Sequence, residues 1–521
     1  MEEGNPLSSL SKETCERTQR GRSSLIALES RLSKSRYLAG LQCPKRLYFE
    51  VYAPYQAAPP DDKQHAMLEM GRMVGEAAQR RFPGGQVVEA DHRHLNAALE
   101  RTRALLLDPQ VPAIFEATFQ FEGILVRADI LERVGDHWRL IEVKAASRIK
   151  PVHLDDLAIQ AYVVEGAGLN LCEICLMYVN RHYWYPGGEL DWHQLFCLQD
   201  VTEAVRDRLS KIPQQLRRLR AVLQEERPPQ IEPDAHCHTP YSCPFWGQCT
   251  QEKPHRWIYH LPGGRGPLKH PSAQGIQTID ALPPEVPLTA LQRRVKHNME
   301  WISPKLSSIL QAVQYPVHHL DFECLIPAVP LYPNTRPYQP LPVQWSNHIE
   351  TIPGQVHHEW HLCRDHKDPR EEIAVSVLQS VGKEGSICVY SDNERFLLRT
   401  LAEAIPCLRR ELQQVIERLW DLCAIIQAHY YHPAFQGSFS LKSVLPALVP
   451  ALAYDDLDIH DGASASAVYY RLVFCETDWV ERERLALALQ QYCARDTRGL
   501  VELRWALQKR VMAKHADASP G

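Results

Sequence analysis

Between Val126 and Lys144 an apolar run ends in Asp129-Ile-Leu, a Gly135-Asp136 pair follows, and Trp138-Arg-Leu-Ile-Glu-Val-Lys144 begins a second run. Short apolar runs divided by a Gly-Asp pair predict a β-hairpin. Side chains alternate along a strand, so Glu142 and Lys144 share one face, expected to be exposed, and Ile141 and Val143 share the other. Gly71–Arg80 reads as a helix, Val317-His-His-Leu-Asp-Phe-Glu323 as a strand, and Gln344-Trp-Ser as part of another strand. Ile387-Cys-Val-Tyr reads as a strand entering a helix, and Val480 to about Lys514 as one long helical segment. A mixed α/β pattern thus runs from Leu32 to about Cys249 and resumes at Val317. Between them lie Lys253-Pro-His, Pro262-Gly-Gly-Arg-Gly-Pro, His270-Pro and Pro283-Pro, the composition of turns and linkers. The expected organisation is a disordered polar N-terminus (1–30), an α/β domain (31–250), a Pro/Gly-rich linker (251–315) and a second α/β domain (316–510).

Length agrees with that division, since 521 residues suit two or three domains. A hydrophobic share of 45% and a charged share of 23% are ordinary for a globular protein. No apolar run approaches the eighteen or so residues of a membrane span, and the polar N-terminus shows no secretion signal. A net charge of −5 makes no overall case for nucleic acid, so such contacts would need local patches such as Arg217, Arg218 and Arg220. The 15 cysteines are not spaced as a secreted disulfide framework. They point to a reducing, cytoplasmic setting with a metal site among them.

Three constellations carry chemistry. An acid on one hairpin strand (Asp129), with an acid and a lysine on the next (Glu142, Lys144), can hold Mg²⁺ or Mn²⁺ on hard carboxylate oxygens and orient a water beside it. Cys237-His-Thr-Pro-Tyr-Ser-Cys243-Pro-Phe-Trp-Gly-Gln-Cys249 gathers three thiols in a turn-rich segment, and Cys43 lies far upstream in Leu41-Gln-Cys-Pro. Thiolates select zinc or iron–sulfur clusters, and His236 and His238 keep zinc open. The third set begins with Asp321 and Glu323, two apart on a strand, and ends with Tyr492 and Asp496, four apart on a helix face. A fourth acid would come from Glu394, then Asp392, then Asp421. The loop Tyr430–Lys442 offers aromatics for stacking on bases and a lysine for phosphate, or a packed turn before a helix capped by Ser440.

One cysteine before the hairpin, three after it, and Asp129…Glu142-x-Lys144 between them resemble the iron–sulfur RecB-type nucleases of the PD-(D/E)XK superfamily, which include CRISPR-adaptation nucleases and the nuclease domain of the AddB helicase–nuclease subunit. Gln160-Ala-Tyr162 stands where that family has a QxxxY motif, so the resemblance places Gln160 and Tyr162 in the site. The family often has a histidine on an early helix, where this chain has only Glu76. Asp321-x-Glu323 and Tyr492-x-x-x-Asp496 resemble the DnaQ-like, RNase H-fold 3′–5′ exonucleases of the DEDDy class, with Glu394 in place of the usual aspartate. As a whole the chain is similar to a bacterial family of RecB-like nucleases carrying a C-terminal DnaQ-like domain. The resemblance implies a restriction-endonuclease-like fold stapled by a 4Fe–4S cluster on Cys43, Cys237, Cys243 and Cys249, followed by an RNase H-like fold. It implies a metal-dependent DNA nuclease for repair, recombination or defence, acting on single strands or duplex ends, with a weak exonuclease domain and a helicase as partner. An RNA-directed nuclease and a nucleic-acid-binding scaffold are the alternatives.

Overall fold

The computed structural model describes residues 32–89, 94–262 and 275–517, and the N-terminal stretch expected to be disordered (1–30) lies outside them. The protein is mixed α/β and divides into two compact units, Met1–Pro60 with Leu68–Glu252 and Asp61–Met67 with Lys253–Gly521. Among the described residues no helix is long and apolar enough to cross a membrane.

The first unit starts with β1 (Leu32–Ser33), α1 (Lys34–Gln42) and α2 (Pro44–Tyr52). Ser33 caps α1 by accepting the Arg36 N–H. Pro44 opens α2 at the first helical position, where its missing N–H costs nothing. A residue before proline is driven out of helical geometry, so Cys43 sits between the helices in extended backbone (φ −160°, ψ 115°). There follow α3 (Asp62–Gln79, in this unit from Leu68 on), β2 (Gln86–Val87), α4 (Leu95–Leu107), β3 (Ala113–Phe121), β4 (Ile124–Val134) and β5 (His137–Lys144). β4 and β5 form the expected hairpin, with Val134 opposite His137 and Gly135 at φ 60°, a region glycine enters without strain. After α5 (Pro151–Gly166), β6 (Leu171–Val179) and β7 (Phe196–Asp200) come α6 (Thr202–Leu209), α7 (Ile212–Gln224) and the short α8 (Trp246–Thr250). The described strands form a sheet in the order β2-β3-β4-β5-β6-β7, with β1 parallel to one end of β4. α5 packs on β3 and β4 and is buried on nearly every side. Its Leu157, Ile159, Val163 and Val164 join Ile114, Val126, Leu140 and Ile174 in the core. A polar residue on such a helix must find its partners inside the protein. That requirement builds the first site.

The second unit begins inside the stretch expected to be a linker (251–315). Its described residues are folded, with α9 (Ala290–His297), β8 (Trp301–Ile302) and α10 (Leu306–Gln311). Ile279, Leu282, Val295, Ile302, Leu306 and Leu310 are buried, and β8 pairs with Tyr430–Tyr431. The prolines punctuate short elements, and the apolar residues between them bind the segment to the unit's core. Next come β9 (Val317–Leu325), β10 (Leu341–Ile352), β11 (Gln355–Leu362), α11 (Arg370–Val381), β12 (Ile387–Val389), α12 (Asn393–Ala404) and α13 (Arg409–Glu417). β13 (Leu419–Asp421), α14 (Leu422–His429), β14 (Tyr430–Tyr431), α15 (Leu441–Leu448), α16 (Gly462–Phe474) and α17 (Trp479–Asp517) complete it. The sheet order is β11-β10-β9-β12-β13, antiparallel through β9 and parallel beyond it. β10 is covered on both faces: Trp345 Nε1 donates to Ser376 of α11, and the next residue, Ser346, bonds Thr497 of α17. α17 therefore lies along the sheet that carries Asp321 and Glu323.

Candidate active sites and thiol pocket

In the first unit the register that sets Ile130 opposite Ile141 also sets Asp129 beside Glu142. Asp129 Oδ2 accepts the Val143 N–H at 2.7 Å. The face carrying Glu142, expected to be exposed, is buried because α5 covers it; Glu142 is 1% exposed. Gln160 Nε2 donates to Glu142 Oε2 at 2.7 Å and to Asp156 Oδ1 at 3.0 Å. Lys144 Nζ donates to Glu142 Oε1 at 2.5 Å and to Asp156 Oδ2 at 2.7 Å. A second ammonium, Lys34 Nζ, stands 3.0 Å from Glu142 Oε1 and 3.1 Å from Asp156 Oδ1.

Tyr162 is not part of this arrangement. Two residues along a helix is about 200° around it, so Tyr162 points away from Gln160. Its hydroxyl donates to Glu122 at 3.0 Å and its ring meets Phe121 edge-on. Glu76 is likewise outside: it is exposed and pairs with Arg72 on α3. Asp156 and Lys34 escaped the sequence reading. Asp156, four residues before Gln160, carried a local signal, since that spacing makes helix neighbours. Lys34 carried none.

Burial lifts Asp129 to about 8, and the charge of Glu142 adds to the effect. Burial works the same way on Glu142, but Lys144 and Lys34 outweigh it and hold that carboxyl below the ordinary range. Asp156 is raised by burial and by Glu142. The site thus combines a carboxyl that takes up protons readily with a carboxylate clamped by two lysines. Gln160 Oε1 is buried without a hydrogen-bond partner, a spare acceptor beside Glu142.

Cys43, Cys237, Cys243 and Cys249 line one pocket with Phe49, Phe245 and Trp246. All four are free thiols. Burial pushes Cys237 up to about 11, with Cys243, Cys43 and Cys249 adding to the shift. Burial also raises Cys243 and Cys249, so a cation that joined these thiols would favour their ionised form. The groups of ligand atoms that lie within 4.8 Å of one another among the described residues do not include these sulfurs. A tetrahedral zinc with bonds of about 2.3 Å would hold its sulfurs roughly 3.8 Å apart. His236 lines the pocket, and its buried Nε2 meets no hydrogen-bond partner, whereas the His238 ring packs tilted against Trp246, 4.5 Å between centroids.

In the second unit Asp321 and Glu323 on β9 meet Asp496 on α17 and Glu394 on α12. Glu323, Glu394 and Asp496 are buried, at 6%, 5% and 8% exposure. Burial first, and then Asp496, Glu323 and Glu394, push Asp321 well above the ordinary carboxylate range. Glu323 rises through burial and Asp496, against the pull of Lys442. Burial brings Glu394 to about 7 and Asp496 to about 6, the latter opposed by the Tyr454 hydroxyl, which donates to Asp496 Oδ1. Tyr492, one turn before Asp496, accepts from Lys442 Nζ at 3.1 Å. Cys493 Sγ lies 3.9 Å from Asp321 Oδ2 and groups with Asp321 and Glu323. Of the candidate fourth acids, Glu394 acts on Asp321 and Glu323, and Asp421 acts on Glu394. Asp392 is exposed and pairs with Arg395, and Asp421 caps α14 by accepting the Ala424 N–H.

The loop Tyr430–Lys442 divides in function. Tyr430, Tyr431 and Phe435 are buried at 0–1% and pack on one another, so they are not a stacking platform for bases. Lys442 enters the acid cluster instead. Tyr454 was missed because it lies in a polar turn with no pattern around it. Of the arginines on α7, Arg217 and Arg218 are exposed, and Arg220 donates to the Glu122 carbonyl.

A family profile described as a domain of unknown function (DUF2779) matches residues 318–440, the stretch from β9 through the aromatic loop. No curated protein matches the chain.

Proposed function

We propose that the chain is a metal-dependent nuclease acting on DNA, with a PD-(D/E)XK fold in the first unit and an RNase H-like exonuclease fold in the second. The observation that carries this reading is the meeting of Asp321, Glu323, Glu394 and Asp496 in one buried space beside Lys442. Buried carboxylates that raise one another's pKa are costly until a cation joins them, and hard oxygen donors suit Mg²⁺ or Mn²⁺. Bound there, a divalent ion would polarise a phosphate and lower the pKa of a water. These four acids would hold it, the Tyr492 hydroxyl would orient the attacking water, and Lys442 would offset charge on the phosphate. The Tyr454 hydroxyl keeps the Asp496 carboxylate turned into the site. In the first unit Asp129 and Glu142 are the oxygen ligands, Lys144 faces the phosphate, and Gln160 steadies Glu142.

The four cysteines hold a 4Fe–4S cluster in this reading. Lys45 and Arg46 beside them offset the charge of thiolates. The test is cleavage of end-labelled single- and double-stranded DNA and RNA by the full chain with Mg²⁺ or Mn²⁺. Metal-dependent cutting of DNA that falls with Glu142→Gln or Asp496→Asn supports the proposal. Cutting of RNA alone moves the substrate, and binding without cutting under either metal makes the chain a nucleic-acid scaffold.

A further inference from the structure

Lys34 has no part in the chemistry proposed above, yet it joins the two ends of the first unit's machinery. It is the first residue of α1, and Cys43 directly follows the last. At the carboxylate end, Glu142 Oε1 receives two ammoniums, Lys144 at 2.5 Å and Lys34 at 3.0 Å. At the thiol end, Gln42 Nε2 donates to the carbonyls of His236 at 2.7 Å and Tyr241 at 2.6 Å, both in the loop that bears Cys237 and Cys243. Nine helical residues form a rod of about 14 Å. The rod has little freedom to slide, because Tyr37 donates to Gln215 at 2.6 Å and Gly40 lies against Leu219 so closely that a Cβ would come within 2.7 Å of it.

We propose that Lys34 is a second working cation of the first-unit site, and that α1 delivers it from the thiol pocket, so that loading of the four cysteines sets its position. The proposal rests on the nuclease reading of Asp129, Glu142 and Lys144. Lys144 grows from the same strand as Glu142 and cannot leave it far. Lys34 comes from another element and can turn away. With both ammoniums on Glu142, the carboxylate is neutralised and a divalent ion is repelled. Lys34 turned outward exposes Glu142 and presents a positive charge to an incoming phosphate. Removing it therefore strengthens metal binding while it weakens turnover. A purely structural lysine would not divide the two effects in this way.

The experiment uses the full chain with Asp321→Ala and Asp496→Asn present throughout, which silences the second unit. Mn²⁺ binding is followed by the paramagnetic signal of the free ion, and cleavage of labelled DNA gives kcat at saturating Mn²⁺. Lys34→Ala is expected to tighten Mn²⁺ binding about fivefold, the factor one neighbouring charge makes in a hydrated site. It should lower kcat by about tenfold or more with unchanged iron content, and Lys34→Arg should recover part of kcat. Gln42→Ala, which keeps all four cysteines, should lower kcat in the parent but no further in Lys34→Ala. If Lys34→Ala matches the parent in both readouts while Glu142→Gln is inactive, the role of Lys34 is refuted and the nuclease reading stands. If Glu142→Gln cuts like the parent, the nuclease reading itself fails. Additive losses in Gln42→Ala and Lys34→Ala would overturn the delivery through α1.

Discussion

Replacing Asp496 by asparagine should stabilise the metal-free protein at neutral pH while removing its response to metal. Asp496 is 8% exposed and its carboxyl is raised from 3.8 to about 6, chiefly by burial. The folded state therefore binds the proton more tightly than the unfolded chain. Stability from this group is complete below pH 3.8 and is lost as pH rises through about 6. At about 1.4 kcal/mol per pH unit, the full loss is roughly 3 kcal/mol. Asparagine carries no charge and can still accept from Tyr454, so it escapes that loss. The variant's advantage should be about 1 kcal/mol at pH 4.5 and approach 3 kcal/mol at pH 7.5. For a unit of this size that is a rise in Tm of up to about 10 °C at the higher pH. The assay is thermal unfolding in chelator at both pH values, comparing variant with parent so that groups outside the cluster cancel, while Asp321 and Glu323, relieved of the charge of Asp496, add to the variant's advantage. Excess Mn²⁺ should then reverse the order, since only the parent keeps the complete acid set. A variant less stable than the parent at pH 7.5 without metal, or an advantage independent of pH, would refute a buried, mutually repelling acid cluster.

Glu142→Ala should destabilise the first unit by about 2–3 kcal/mol, because it removes charged hydrogen bonds and leaves Lys34 and Lys144 with Asp156 as their shared carboxylate; Glu142→Gln should cost less, and urea unfolding compares the two. Protein purified without oxygen should be brown and contain iron and sulfide, and Cys243→Ala should lower solubility and iron together; stoichiometric zinc without iron would count against the cluster. Tyr162→Phe should leave metal-dependent cleavage unchanged, because its hydroxyl bonds Glu122 outside the site, whereas Gln160→Ala, which frees Glu142 Oε2, should lower it.

The hairpin was readable because all its information is local. A two-residue turn and alternation set the register, and register alone puts Asp129 beside Glu142. The spacing of Tyr492 and Asp496 on one helix is local in the same sense. Helix periodicity would also have excluded Tyr162, two residues from Gln160 and hence on another side of α5. What lies on a single strand or helix was thus within reach of the residue order.

What covers a strand face was not. Alternation says that Glu142 and Lys144 point the same way, but only the packing of α5 on the sheet makes that way inward and supplies Asp156 and Gln160. Lys34 reaches the site from 108 residues upstream and Tyr454 meets Asp496 across 42 residues. The choice of Glu394 over Asp392 depends on which side of α12 faces β9. The proline-rich stretch from 275 to 315 belongs to the second unit because its few apolar side chains find a surface to bury against. Local order sets which groups share a face through the fixed periods of helix and strand. Whether that face is wet or buried, and which distant charges meet it, is settled only when desolvation forces buried polar groups to find partners across the fold.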